Sequence, residues 1–256
     1  GPLPEARKAL ARRRIDARGL VVAPGFVDLL GQSEYNVLVD GRALSKVTQG
    51  ITTEVTGEGS SIAPLNDRMI ADGEDVWRRF GVRPDWTTLA GYFSRFAKTP
   101  PTINVATFVG LGGLRDLVMG KGDRRPTTAE TEAMAREVER AMDEGALGVS
   151  ASLQYVPDLY FTTDELVSLA RVAARRGGVF FVHQRSESDR VIESLEEVFR
   201  IAREASIPTD VWHLKTGGAR NHGKMREVLA RLEAARAAGL DVAANQYPWS
   251  ASSNGL

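Results

Sequence analysis

The chain contains no cysteine, which excludes disulfides, thiolate zinc sites and a cysteine nucleophile. Histidine is nearly as scarce: the 256 residues include three, His183, His213 and His222. Any metal site must therefore be completed by carboxylates, backbone groups or water. Neither sign of charge prevails, because 33 Lys and Arg balance 33 Asp and Glu. That balance implies no nucleic-acid or membrane partner. No apolar run approaches the roughly 18–20 residues of a membrane span. Residues 1–19 are basic and Ala-rich, unlike the apolar centre of a signal peptide, so the expected location is the cytoplasm. Core material is plentiful, with 43% hydrophobic against 26% charged residues, the mix of a globular protein. At ~100–200 residues per domain, the length allows one large domain or two small ones.

The second half of the chain repeats a pattern. Thr127 and Glu130 read as a capping box, and Met134, Val138 and Met142 then share one helical face before Gly145. A short apolar run over 146–153 follows. Thr162 and Glu165 open a second helix, and the apolar strand 179–182 ends at His183. Helices over 188–205 and 224–238 lead to strands over 209–214 and 240–246. Strand starts lie ~30 residues apart, the length of a βα unit, which predicts a parallel sheet covered by helices. Three earlier strands are expected over 25–30, 52–57 and 103–110, with helices over 67–80 and 86–97 inserted before the third. Seven strands of this kind predict an α/β fold, a (β/α)8 TIM-type barrel short of its eighth strand. A doubly wound sheet is the alternative, although no Gly-rich phosphate loop follows the first strand.

Functional side chains in such folds gather at the C-terminal ends of strands. His183 ends the fifth strand, His213 lies near the end of the sixth, and Glu58 follows the second. Two imidazoles and a carboxylate make a three-ligand zinc site with a fourth position for water. The same residues also suit a structural role, since strand-end histidines and loop carboxylates commonly have one. Lys215, two residues beyond His213, falls on the same face by strand periodicity, to hold a substrate carboxylate or pair with an acid. Arg185 and Glu187 read as a structural ion pair, and His222 as a rim residue. Residues 247–253, with Tyr247 and Ser253, read as pocket lining or rim packing. Arg7, Lys8, Arg12, Arg13, Arg14 and Arg18 read as a solvated helix.

Five stretches in order carry a family resemblance: residues 15–28 ending in Ala23-Pro24-Gly25-Phe26-Val27-Asp28, residues 51–57, Gly145-Ala146-Leu147-Gly148-Val149-Ser150, His213-Leu214-Lys215, and residues 247–253. Together they resemble the D-aminoacylase (N-acyl-D-amino-acid deacylase) branch of the amidohydrolases, from about Arg14 to the chain end. The resemblance implies a zinc-dependent hydrolase of linear amide (C–N, non-peptide) bonds acting on an N-acylated amino acid. It implies that residues 25–256 form an incomplete amidohydrolase barrel and that residues 1–24 lead from a β-sandwich. His183 and His213 match its zinc ligands on strands five and six. Glu58 falls near the ligand after strand two, a cysteine in the D-aminoacylases, in a loop one residue shorter. Lys215, Tyr247 and Ser253 match residues that contact the substrate's carboxylate and carbonyl. Two features depart from the family. Leu30 and Gln32 stand where its first strand carries two metal-binding histidines, so one zinc is expected rather than two. The aspartate that activates water follows strand eight in the family, beyond Leu256. A non-catalytic or binding relative that has lost the first-strand histidines is the alternative.

Overall fold

A computed structural model of the protein describes residues 12–13 and 15–251. Its strands, in chain order, are β1 (Phe26–Asp28), β2 (Ile51–Thr56), β3 (Asn104–Thr107), β4 (Val109–Gly110), β5 (Gly148–Ser152), β6 (Val179–His183), β7 (Thr209–Val211) and β8 (Val242–Ala244). All pair in parallel: β1-β2-β3 make one sheet and β4-β5-β6-β7-β8 another. Each of the seven expected strands is present, and the third is broken in two at Phe108. Its ring is buried against Phe181, 4.6 Å between centroids, and Trp212, 5.7 Å away. Neighbours in space are neighbours in sequence within both sheets. Among the described residues, the order reversal of a doubly wound sheet is absent.

Strand alternation sorts the core into two layers. Phe180 and Val182 of β6 join Leu166, Leu169 and Leu195 in a large apolar layer between strands and helices. Val179 and Phe181 pack on the other face with Val55, Phe108 and Trp212. With a period of two, His183 shares the face of Val179 and Phe181.

The helices follow their signals. Thr128–Asp143 and Thr163–Ala174 both open on reciprocal caps. Thr127 and Thr162 each accept an N–H three residues on at 3.2 Å, and Glu130 and Glu165 each accept one back at 2.8 Å. Val191–Ala205 and Met225–Ala237 complete that half. The stretch expected as one helix over 67–80 is two, Asp67–Asp72 and Glu74–Phe80, separated by Gly73. Leu89–Lys98 is the next. Leu111–Met119 was not expected as a helix: Gly112 and Gly113, poor helix formers, stand in its first turn, and with Arg115 and Asp116 they are buried alongside Leu111 and Leu114. The basic stretch is not helical over 12–13 and 15–18. There Asp16 accepts the backbone N–H of Arg18 at 3.0 Å, a local bond that competes with helix. Arg7, Lys8 and Arg14 lie outside the described residues. No helix among the described residues is long and apolar enough to cross a membrane.

Trp212 ties the two sheets together. It is fully buried, and its indole N–H donates to the Leu29 carbonyl just after β1 at 3.2 Å. Replacing Trp212 with Ala removes that ring from Phe108 and Phe181 and leaves a carbonyl without its partner. In the full-length protein the expected loss is about 3–5 kcal/mol of stability, read as a fall in the denaturant midpoint. A loss under about 1 kcal/mol would mean that the inner cluster is not a packed core.

Candidate metal centre

β2 delivers Glu58 through a turn between two glycines. Gly57 and Gly59 have φ of 98° and 65°, the left-handed region that glycine enters freely. A Cβ on Gly57 would lie 2.6 Å from the Phe108 carbonyl oxygen, and one on Gly59 would lie 2.6 Å from the Ser152 side chain. The turn is stapled from β5. The buried Ser150 hydroxyl donates to the Gly57 carbonyl and accepts the Gly59 N–H at 3.2 Å.

Two imidazoles meet the carboxylate so positioned. Glu58 Oε1 lies 3.0 Å from His183 Nδ1 and 3.2 Å from His213 Nε2. The rings stand nearly perpendicular, 4.5 Å between centroids. His183 ends β6, as expected. His213, in contrast, lies two residues past the end of β7 with φ of 40°, so strand periodicity does not aim it. Asn245 does: its Oδ1 accepts the His213 N–H at 2.7 Å while its carbonyl accepts the Leu214 N–H at 2.9 Å. Lys215 reaches the same place without a shared strand face, with Nζ 2.9 Å from His213 Nδ1.

The donor atoms of Glu58, His183 and His213 all lie within 4.8 Å of one another. Two ligands of a tetrahedral zinc ion are separated by about 3.3–3.5 Å, given bonds of about 2.0–2.2 Å. Two nitrogens 3.0 and 3.2 Å from one carboxylate oxygen fit that ion in both element and spacing. Gln32 engages the second oxygen of Glu58. Its amide donates to Glu58 Oε2 at 2.9 Å, and Leu30 lines the same cavity.

Charge holds the cluster together. Burial pushes the Glu58 carboxyl up, but hydrogen bonds from both imidazoles outweigh it and hold the group at about 2. Burial pushes His213 down, yet its contacts with Glu187 and Glu58 raise it to about 9. Glu187 is drawn below the usual carboxylate range, because His213, His183 and Lys215 more than offset its burial. The expected Arg185–Glu187 pair does not form. Arg185 grips Glu197 at 2.9 and 3.0 Å, while Glu187 turns to Lys215 at 2.5 Å and His213 at 2.9 Å. The chain turns after β6, so nearness in sequence did not show which partner each would take.

The cluster opens on a cavity of about 980 Å³ that Lys215 and Tyr247 also line. The Lys215 ammonium lies 5.6 Å from the centre of the Tyr247 ring. Ser253 lies outside the described residues, and His222 is exposed in the short turn Ala219–Lys224. Sequence reasoning gave no site role to Ser150, Glu187, Asn245 and Asp158. Asp158 lines the cavity, where burial pushes its carboxyl up to about 7 although it accepts the Ser152 N–H at 2.8 Å.

No protein-family model matches the chain. It is 37% identical over 257 residues to a D-aminoacylase of Alcaligenes xylosoxydans xylosoxydans, a match covering 97% of this chain and 51% of that one. Its structure is similar, with a TM-score of 0.85 and 35% identity over 94% of this chain and 51% of the other, to a D-aminoacylase described as having a binuclear metal centre with one-metal activation and second-metal attenuation. It also resembles an N-acyl-D-glutamate deacylase from Bordetella bronchiseptica complexed with zinc and a phosphonate mimic of the tetrahedral intermediate. There the TM-score is 0.80 and the identity 35%, over 88% of this chain and 48% of that one. The chain spans about half the length of the curated relatives it matches.

The shifted groups give the metal-free protein a defined pH response. The folded value of His213, about 9, lies above the ordinary 6.5, so its contribution to stability is complete below pH 6.5 and is lost as pH rises through 9. Glu58, at about 2 against 4.5, contributes above pH 4.5 and loses that contribution as pH falls through 2. Denaturant unfolding of chelator-treated protein should show greatest stability between these limits. His213→Ala should flatten the alkaline limb, and an unchanged limb would mean that the imidazole is not held by the two carboxylates.

Proposed function

The chain is a relative of the D-aminoacylase branch of the amidohydrolases, and from that premise we propose that it forms part of a zinc-dependent hydrolase of linear amides whose substrates are N-acyl-D-amino acids. The observation that carries this reading is the convergence of His183 and His213 on one oxygen of Glu58 at the mouth of a substrate-sized cavity. These three residues would hold a single zinc ion, which when bound polarises a carbonyl and acidifies water. Lys215 neutralises the substrate's α-carboxylate, with Tyr247 and Ser253 completing its hold on carboxylate and carbonyl. The base that takes up the water's proton is assigned to the aspartate that the family carries after strand eight. In this reading the parallel strands are seven of a (β/α)8 TIM-type barrel occupying 25–256, and residues 1–24 lead from a β-sandwich. The in-order strand pairing and the Trp212–Leu29 bond between the two sheets support it.

A second reading is a binding relative without turnover. It is favoured by Leu30, which cannot ligate, and by Gln32, whose amide is engaged with Glu58. Hydrolysis of N-acetyl-D-amino acids by the zinc-loaded full-length protein separates the two, since the second reading allows binding without release of acetate.

Metal analysis after exhaustive dialysis should find about one zinc per chain, the number a single three-residue ligand set supports. His183→Ala and His213→Ala should each abolish it, whereas His222→Ala should retain it. Two tightly held equivalents would overturn the ligand set, and loss in the His222 variant would move the site to the exposed turn. Lys215→Met should keep the zinc but lower kcat/KM on carboxylate-bearing substrates by roughly 10- to 150-fold, the loss of a charge-assisted contact of about 1.5–3 kcal/mol. Wild-type kcat/KM in that variant would place Lys215 outside the binding site.

A further inference from the structure

We infer that Glu187 is a positioning residue that favours the ring tautomers a metal ion requires, so that in the zinc-bound protein His183 Nδ1 and His213 Nε2 turn bare lone pairs toward one point. The inference rests on the metal reading above and deepens it. A neutral imidazole carries one N–H, and the nitrogen that binds a metal must be the other one. The two nitrogens facing Glu58 are His183 Nδ1 and His213 Nε2. A bound ion displaces the protons that these two nitrogens share with Glu58, and leaves each ring protonated on its far nitrogen, His183 Nε2 and His213 Nδ1.

Both far nitrogens face the same carboxylate. Glu187 Oε1 is 2.9 Å from His213 Nδ1, and Glu187 Oε2 is 3.7 Å from His183 Nε2. The latter nitrogen is buried and makes no hydrogen bond, and the Glu187 carboxylate stands on that side of the ring. Two carboxylates thus bracket the two rings, Glu58 on the near nitrogens and Glu187 on the far ones.

Lys215 makes the arrangement necessary. Its ammonium lies 2.9 Å from His213 Nδ1 and could donate there, which would drive the ring proton to Nε2 and disable the ligand. Glu187 opposes this in two ways: it accepts the ammonium itself at 2.5 Å, and it offers the same oxygen to the Nδ1 proton. Its own place is fixed by the loop that follows His213, because the Glu187 carbonyl accepts the Gly217 N–H at 2.6 Å. One residue after β6 thereby registers the loop carrying His213 against the strand carrying His183. Carboxylate partners of this kind orient metal-binding histidines, and their removal weakens metal binding about 10- to 100-fold.

The test measures zinc affinity, by competition with a chromophoric chelator, together with the protonated nitrogen of each ring, by NMR of the full-length protein labelled with 15N-histidine. E187Q should weaken zinc about 10- to 100-fold and, in the zinc-loaded protein, leave the His213 Nδ1 proton in faster exchange with water, while Lys215→Met leaves zinc affinity within about threefold. E187D, which keeps the charge on a shorter arm, should fall between E187Q and wild type, and it carries the test if E187Q does not fold. Wild-type zinc affinity and unchanged ring protons in E187Q would overturn the inference while leaving the metal reading intact. A wild-type protein that binds no zinc would overturn the metal reading and this inference with it.

Discussion

A single carboxylate oxygen, Glu58 Oε1, accepts from two imidazoles that arrive from positions 125 and 155 residues away along the chain. Bringing three such groups out of water is costly, because each buried polar atom needs a partner. The surrounding structure supplies those partners. Ser150 fixes the turn that carries Glu58, Asn245 fixes the backbone of His213, Gln32 takes the second Glu58 oxygen, and Glu187 stands behind both rings. Opposite charges within a few ångströms make the cluster self-consistent even without an ion. The same field that favours a proton on His213 favours a divalent cation in its place.

The two apolar layers decide where this cluster can form. Alternation along β6 sends Phe180 and Val182 to the helices and Val179, Phe181 and His183 the other way. The inner face is closed below by Phe108, Phe181 and Trp212 and opens above into the cavity. Aromatic rings, Phe108 and Trp212 buried and Phe181 partly so, pack on this face, and polar groups beyond the strand ends line the cavity. Sheet periodicity thus separates packing from chemistry within five consecutive residues.

Much of the architecture was legible because it rests on local rules. Capping boxes at Thr127 and Thr162, glycine stops and short apolar runs each announce themselves within a few residues. His183 was readable as a strand-end group pointing with Phe181. His213 reaches the cluster by a route that strand periodicity does not describe, since β7 ends at Val211 and His213 itself is left-handed. Ser150 was invisible within an apolar run, where a serine reads as a small core residue. Glu187 was assigned to Arg185 because sequence distance says nothing about how a loop turns. The helix Leu111–Met119 was missed because Gly112 and Gly113 in its first turn read as loop.

The left-handed backbone at His213 has a consequence for how the site ages under stress. A non-glycine residue there is uncommon and persists when its surroundings over-determine it. Here the holding residue, Asn245, sits one step beyond β8, a three-residue strand that pairs on one side with β7 among the described residues. Ala243 and Ala244 of that strand are exposed. A shift of β8 against β7 is therefore passed through Asn245 to the backbone of a ligand. Metal retention would then report on the pairing of β8 with β7, separately from the packing of Phe108, Phe181 and Trp212.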